Sequence, residues 1–260
     1  MNEHLINEIK GNYPFALVDI LGYKNRTKAS SLDELLKFNN NFITMSDTLK
    51  YFSIKIEPPR FLYIADTLFV YPKNEHTSQL KVASVIRYLA NLLHHTISIP
   101  NNREFVPLRG AISFGEIFVN TNYEINRSLV VPLVLGKAAI NCYEWERCQN
   151  WIGISIDPNS VEGLKSFDSQ SFHKLEQDKY IVKWGVPMKN CKIKTIETYA
   201  INFIDSLDWR MRRSLNVICE QEQRAEKEEV KEKYKNTREF IKYIYDSRKF
   251  PKVFEINSRD

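Results

Sequence analysis

The 260-residue chain has little of what marks secretion, membranes or structural metal sites. Its four cysteines, Cys142, Cys148, Cys191 and Cys219, include no CxxC pair, and no histidine is spaced with them as in a zinc site. They read as reduced thiols. The N-terminal stretch MNEHLINEIK has no long apolar core and so is no signal peptide; no segment approaches the roughly 20 apolar residues of a membrane span. Internal repeats are absent. Charge of one sign is not concentrated: the formal net charge is +5 and the pI is near 8.8, yet Lys and Arg alternate with Glu and Asp. A nucleic-acid binder usually gathers its excess in one stripe, whereas mild basicity suits a polyphosphate substrate. The expectation is a soluble, cytoplasmic protein with no nucleic-acid and no membrane partner.

What is present is an ordered alternation of strands and helices. Residues 14–20 form a short apolar run read as a buried strand. Apolar residues at helical spacing follow from Ser31 to about Tyr51, with Ser31 and Glu34 placed as a capping box. Residues 60–72 read as two strands joined at Ala65–Asp66–Thr67, and 78–95 as a second amphipathic helix. Strands at 107–114, 116–119 and 129–135 lead to Gly136, which opens a third helix through Cys148. Strands at 152–156, 179–184 and 192–200 close the pattern. The order is β-α-β-β-α-β with additions, an α/β protein of the α+β sandwich kind. Residues 1–205 are expected to form this domain, and residues 206–260 a charged helical C-terminal extension. In the stretch QEQRAEKEEVKEKYK each Glu/Lys pair contributes only about 0.2–0.5 kcal/mol. That extension reads as an exposed helix or as a docking arm.

Two aspartates stand out. FALVDILGY carries Asp19 and FLYIADTLFVY carries Asp66, each inside an apolar strand context. A carboxylate there is costly unless it is paired or binds a metal. In a β-α-ββ unit the first strand lies beside the hairpin, which puts the two carboxylates across neighbouring strands about 5 Å apart. A hard divalent cation relieves their repulsion, and Mg²⁺ held by carboxylates usually brings a substrate phosphate. The Ile20 carbonyl is placed as a further oxygen ligand. The competing reading makes each aspartate a strand-end residue with a local hydrogen bond.

FALVDILGY, FLYIADTLFVY, PLRGAISFGEIFV and VLGKAAINCYEWE, in this order and spacing, resemble class III nucleotidyl cyclases over roughly residues 12–200. Within that superfamily the chain looks most like the stand-alone bacterial pyrimidine cyclases of anti-phage (Pycsar) defence. The resemblance implies a ferredoxin-like βαββαβ palm core and a head-to-tail homodimer with active sites at the interface. It implies two Mg²⁺ or Mn²⁺ ions per site, held by Asp19, Asp66 and the Ile20 carbonyl. It also implies that the 3′-hydroxyl of a ribonucleoside triphosphate attacks its own α-phosphate and expels pyrophosphate. The product would act on a separate effector protein.

The sequence departs from the purine cyclases at defined places. Leu62 stands where adenylate cyclases carry a base-reading Lys and guanine readers a polar residue, usually Glu; Leu133 stands where adenylate cyclases carry a base-reading Asp. Apolar groups abolish readout by hydrogen bonding, which leaves a pyrimidine, uridine or cytidine, by elimination. On the third helix, Ile140 and Glu144 occupy the positions of the Asn that orients the ribose and the Arg that stabilises the transition state. Asn141 is one residue off and is the candidate for the Asn role; Arg147 is three off. Lys189 resembles the late phosphate-binding Lys. Arg109 is either a packing residue beside the sheet or a triphosphate contact. Tyr143, Trp145 and Trp151 read as interface or core aromatics, and His94 and His95 as solvated helix-end residues. The first reading is thus a uridylate or cytidylate cyclase that makes cUMP or cCMP. The alternatives are a cyclase-like sensor without turnover and another metal-dependent nucleotidyl transferase on the same scaffold. The absence of a GGDEF signature disfavours a diguanylate cyclase.

Overall fold

The computed structural model describes residues 8–49, 58–74, 78–98, 105–126, 129–189, 192–204 and 208–250. Cys191 lies outside them. Among the described residues, eight strands form one mixed sheet: β1 (Glu8–Ile20), β2 (Arg60–Ile64), β3 (Thr67–Tyr71), β4 (Leu108–Asn126), β5 (Leu129–Leu135), β6 (Gly153–Ile156), β7 (Ile181–Pro187) and β8 (Thr195–Ile201). Their order is β2-β3-β1-β4-β6-β8-β7, with β5 paired to β4 beside this path. β4 and β6 are parallel, and the other pairs are antiparallel.

The central position of β1 explains its composition. It pairs with β3 on one edge and β4 on the other, and Phe15, Ala16 and Val18 are fully buried. A strand covered on both faces reads as a continuous apolar run rather than an alternating one. The first two helices are α1 (Tyr23–Ala29) and α2 (Leu32–Thr48). At the start of α2 the Glu34 amide donates to Ser31 Oγ, and the Ser31 amide donates to the Glu34 carboxylate at 2.8 Å. This is the expected capping box. The apolar stripe Val82, Val85, Ile86, Leu89, Leu92 and Leu93 of α3 (Ser78–Leu93) is buried and packs on β1.

α3 continues into a π-helical turn at His94–Ser98. Here the sequence expectation is corrected: His94 is buried, and its Nδ1 lies 3.0 Å from the Phe203 carbonyl. It is a packed helix-end residue rather than a solvated one. α4 (Lys137–Cys148) begins at Gly136, whose φ is 126° and where a Cβ would overlap the Glu116 carbonyl. Only glycine lets the chain turn from β5 into α4 so close to β4. Trp145 and Trp151 are core aromatics; Tyr143 is half exposed.

Two short helices, α5 (Val161–Phe167) and α6 (Ser169–Gln177), lie between β6 and β7 and have no counterpart in the sequence reading. α7 (Asp208–Arg224) and α8 (Glu228–Asp246) follow β8. α8 is charged on one side only. Its Phe240, Ile241 and Ile244 are fully buried, and Phe240 packs edge-on against Trp151 at 5.0 Å. The Ile152 amide donates to Thr237 Oγ1 at 2.8 Å, and Asn236 Nδ2 donates to the Asn150 carbonyl at 2.7 Å. The C-terminal helix is thus stitched to the segment between α4 and β6. Among the described residues no helix is long and apolar enough to cross a membrane.

Candidate active site

The end of β1 and the tip of the β2–β3 hairpin are held together by backbone. Asp19 pairs with Thr67 in the β1–β3 register, one residue from Asp66. The Ile20 amide donates to the Asp66 carbonyl at 3.0 Å. The tight tip places Ala65 at φ 57°, in the left-handed region. The two aspartates predicted as a pair are therefore neighbours, and the charge of Asp66 is felt at Asp19.

Asp19 is about a quarter exposed, and Arg109 Nη2 is 4.0 Å from its Oδ2. Burial first, then the charges of Glu146 and Asp66, push its carboxyl up to about 6; Arg109 and Lys189 act in the opposite direction. Among the described residues the nearby positive charge does not offset the burial of this carboxylate and the negative charge around it. Among the described residues no group of three or more His, Cys, Asp or Glu makes a ready-made metal site. The donor set nevertheless suits a hard cation: two carboxylates and the backbone of Ile20, with room for substrate and water oxygens.

Arg109 sits opposite Asp19 in the β1–β4 register. Its Nε and Nη2 both donate to Glu146 Oε1, and both side chains are buried. Glu146 was not singled out in the sequence. The signal was there: Ala138, Cys142 and Glu146 are spaced four apart, on the buried face of α4. Lys189 is half-buried; burial, then Arg109 and Lys233, push its ammonium below the usual lysine range, while Glu146 and Glu229 oppose this. The Lys189 amide donates to the Cys148 carbonyl at 2.7 Å, which fastens it to the end of α4. Asp19, Asp66, Arg109, Glu146 and Lys189 thus form one charged cluster.

Beside the cluster lies an open groove of about 940 Å³ between the sheet and α4. Leu17, Phe69, Ile140 and Tyr143 give it an apolar wall, and Glu144, Arg147 and Lys189 give it charge. Ile140, Tyr143, Glu144 and Arg147 follow the three- and four-residue spacing of one helix face. The Arg147 guanidinium lies 5.2 Å from the Tyr143 ring and donates to its hydroxyl at 3.1 Å. Asn141 is not among the residues that line the groove. Leu62 pairs with Phe69 on β3, and Leu133 with Asn120 on β4.

No protein-family model matches the chain. No curated protein is similar to it in sequence. Solved structures are similar in shape. The adenylyl cyclase CyaB from P. aeruginosa superposes with TM-score 0.54 at 11% identity, covering 77% of this chain and 97% of that one. The guanylate cyclase domain of RhGC from Catenaria anguillulae, in complex with GTP, gives TM-score 0.54 at 12% identity, covering 75% and 97%. A dimeric guanylyl cyclase domain from the fungus Blastocladiella emersonii gives 0.52 at 12%, covering 75% and 97%. The chain has the palm fold of class III cyclases.

Proposed function

We propose that the chain is a nucleotidyl cyclase, and specifically a pyrimidine cyclase that converts UTP or CTP to the 3′,5′-cyclic monophosphate and pyrophosphate. The observation that carries the proposal is the pairing of Asp19 and Asp66 on a cyclase palm, with Asp19 short of compensating charge. In the reaction the ribose 3′-oxygen forms a bond to the α-phosphorus, and the bond to the bridging α–β oxygen breaks. The 3′-hydroxyl proton passes to solvent, and pyrophosphate leaves. Asp19, Asp66 and the Ile20 carbonyl would hold two Mg²⁺ or Mn²⁺ ions, which supply hydroxyl activation and charge neutralisation on the phosphates. Lys189 binds the triphosphate as a point charge, with Arg109 behind it. Asn141, the sequence candidate for orienting the ribose, would have to reach it from beside the groove that Ile140 and Tyr143 line. Arg147, on the groove face one turn beyond Glu144, is the nearest cation to the place where the family has its arginine.

Base choice follows from Leu62 and Leu133, which cannot donate to or accept from a purine edge. Their apolar side chains favour neither uridine nor cytidine. A homodimer with the site at its interface is supported by Leu135, Ile140 and Tyr143, large apolar side chains more than half exposed on β5 and α4. In anti-phage defence the cyclic nucleotide would act on a separate effector.

A second reading, a nucleotide sensor without turnover, has one specific observation in its favour: Ile140 and Glu144 face the groove where catalysis would need Asn and Arg. The discriminating experiment supplies UTP, CTP, ATP and GTP separately with Mn²⁺ or Mg²⁺ and detects products by mass spectrometry, with Asp66→Asn as control. A pyrimidine cyclic monophosphate that the variant does not make establishes the cyclase. Tight metal-dependent binding without turnover establishes the sensor.

A further inference from the structure

Glu146 is a buried carboxylate that the reaction above does not use. It lies on α4, 4% exposed, and its Oε1 accepts from Arg109. Arg109 in turn stands across the β1–β4 pair from Asp19, on the same side of the sheet, with Nη2 4.0 Å from Oδ2. That distance is the outer limit of an ion pair, although a small rotation would close it. A guanidinium closed onto Asp19 would occupy the carboxylate oxygens and set a positive charge where a divalent cation has to bind. Glu146 prevents this by taking both Nε and Nη2 of the same guanidinium from the α4 side. Two further groups face the cluster: Asp66 adds negative charge, and Lys189 adds positive charge without touching the pair.

We propose that Glu146 is a positioning residue that holds Arg109 off Asp19 and so keeps the Asp19 carboxylate available to a divalent cation. The inference rests on the reading of Asp19 and Asp66 as cation ligands. It gives a reason for burying an Arg–Glu pair beside a carboxylate that the arginine could otherwise neutralise. Burial alone does not supply that reason, because an apolar pair of the same volume usually packs as well or better.

The test is Mn²⁺ binding to the full chain without nucleotide, read from the free-ion signal in electron paramagnetic resonance, with folding followed by circular dichroism. Asp19→Asn is the control for the site itself. Glu146→Gln should weaken Mn²⁺ binding about tenfold or more, since the freed guanidinium competes for Asp19. The double variant Glu146→Gln/Arg109→Gln should bind within about threefold of wild type, because the competitor is gone. A structural role for Glu146 would not produce that recovery. Wild-type affinity in a folded Glu146→Gln, or a double variant as weak as the single one, overturns the proposal. Should Glu146→Gln not fold, Glu146→Asp, whose shorter carboxylate draws back from the guanidinium, takes its place: weakened binding that the double variant restores supports the proposal, and wild-type affinity overturns it. Were the wild type to bind no Mn²⁺ that Asp19→Asn abolishes, the cation reading itself would fall, and this inference with it.

Discussion

The amide of Ile20 donates to the carbonyl of Asp66, so the end of β1 and the hairpin tip are a single hydrogen-bonded unit. The bond uses the main chain of Asp66 and leaves its carboxylate free for chemistry.

Asp66→Asn should therefore keep the fold and lose the reaction. The main-chain bond to Ile20 survives the substitution, whereas the charge that would hold a cation does not. Loss of such charge stabilisation typically costs about 10²–10³-fold in rate. Circular dichroism and melting should match the wild type while product formation drops by at least this factor. Retained turnover would remove Asp66 from the machinery.

Asp19 makes a pH prediction of definite sign. Its carboxyl titrates at about 6 in the fold and at 3.8 as a free side chain. The folded state therefore binds the proton more tightly, so its ionisation destabilises the metal-free protein. The penalty is absent below the unfolded value, grows as pH rises through the window between the two, and is complete above it. Asp19→Asn should stabilise the fold at pH 7–8 by on the order of 1–3 kcal/mol, seen as a higher melting temperature, and leave it unchanged near pH 3. Melts of both proteins from pH 3 to 8 without metal check this. Equal pH profiles would mean that the carboxylate is already compensated.

The same two aspartates show how much could be read from the sequence. A charge in an apolar strand is visible without coordinates, and so were the capping box at Ser31 and the opening of α4 at Gly136. Glu146 was legible only through its spacing from Ala138 and Cys142: α4 carries Glu144, Glu146 and Arg147 close together, and the helix phase sends one of them inward. His94 reads as solvent-exposed by type, and only its burial and its hydrogen bond with the Phe203 carbonyl show otherwise. α5 and α6 are short, and Asp168, the N-cap of α6, also ends α5, so neither stretch shows a full helical period. In the C-terminal segment the dense Glu and Lys of residues 220–235 mask the apolar set Phe240, Ile241 and Ile244 that follows.

That apolar set yields a stability prediction. Phe240 packs against Trp151, Trp184 and Phe203, and Thr237 satisfies the buried amide of Ile152. Phe240→Ala should cost about 3–5 kcal/mol, and Thr237→Val about 1–3 kcal/mol, since the latter strands a buried donor. Denaturant titration measures both. Removing residues after Lys235 deletes Thr237, Phe240, Ile241 and Ile244 from the buried face of α8 and should destabilise the chain by more than Phe240→Ala alone. A truncated protein as stable as the full one would show that α8 is an appendage.

The exposed apolar side chains of β5 and α4 carry the last prediction. Leu135, Ile140 and Tyr143 are 52%, 58% and 52% exposed, and Ile140 and Tyr143 also line the groove beside Asp19. Side chains of this size left in water on one edge of a candidate site mark a contact surface. A second copy is the occupant that would also enclose the groove and exclude water from the phosphates. Two consequences follow. Specific activity should rise with protein concentration until the dimer saturates, and Ile140→Asp should shift the mass seen by light scattering to the monomer. The variant should lose activity in proportion to the dimer lost and regain part of it at high concentration, because Asp19 and Asp66 are untouched. A wild-type chain that is monomeric at micromolar concentration, and equally active per chain on dilution, would place the complete site within one subunit.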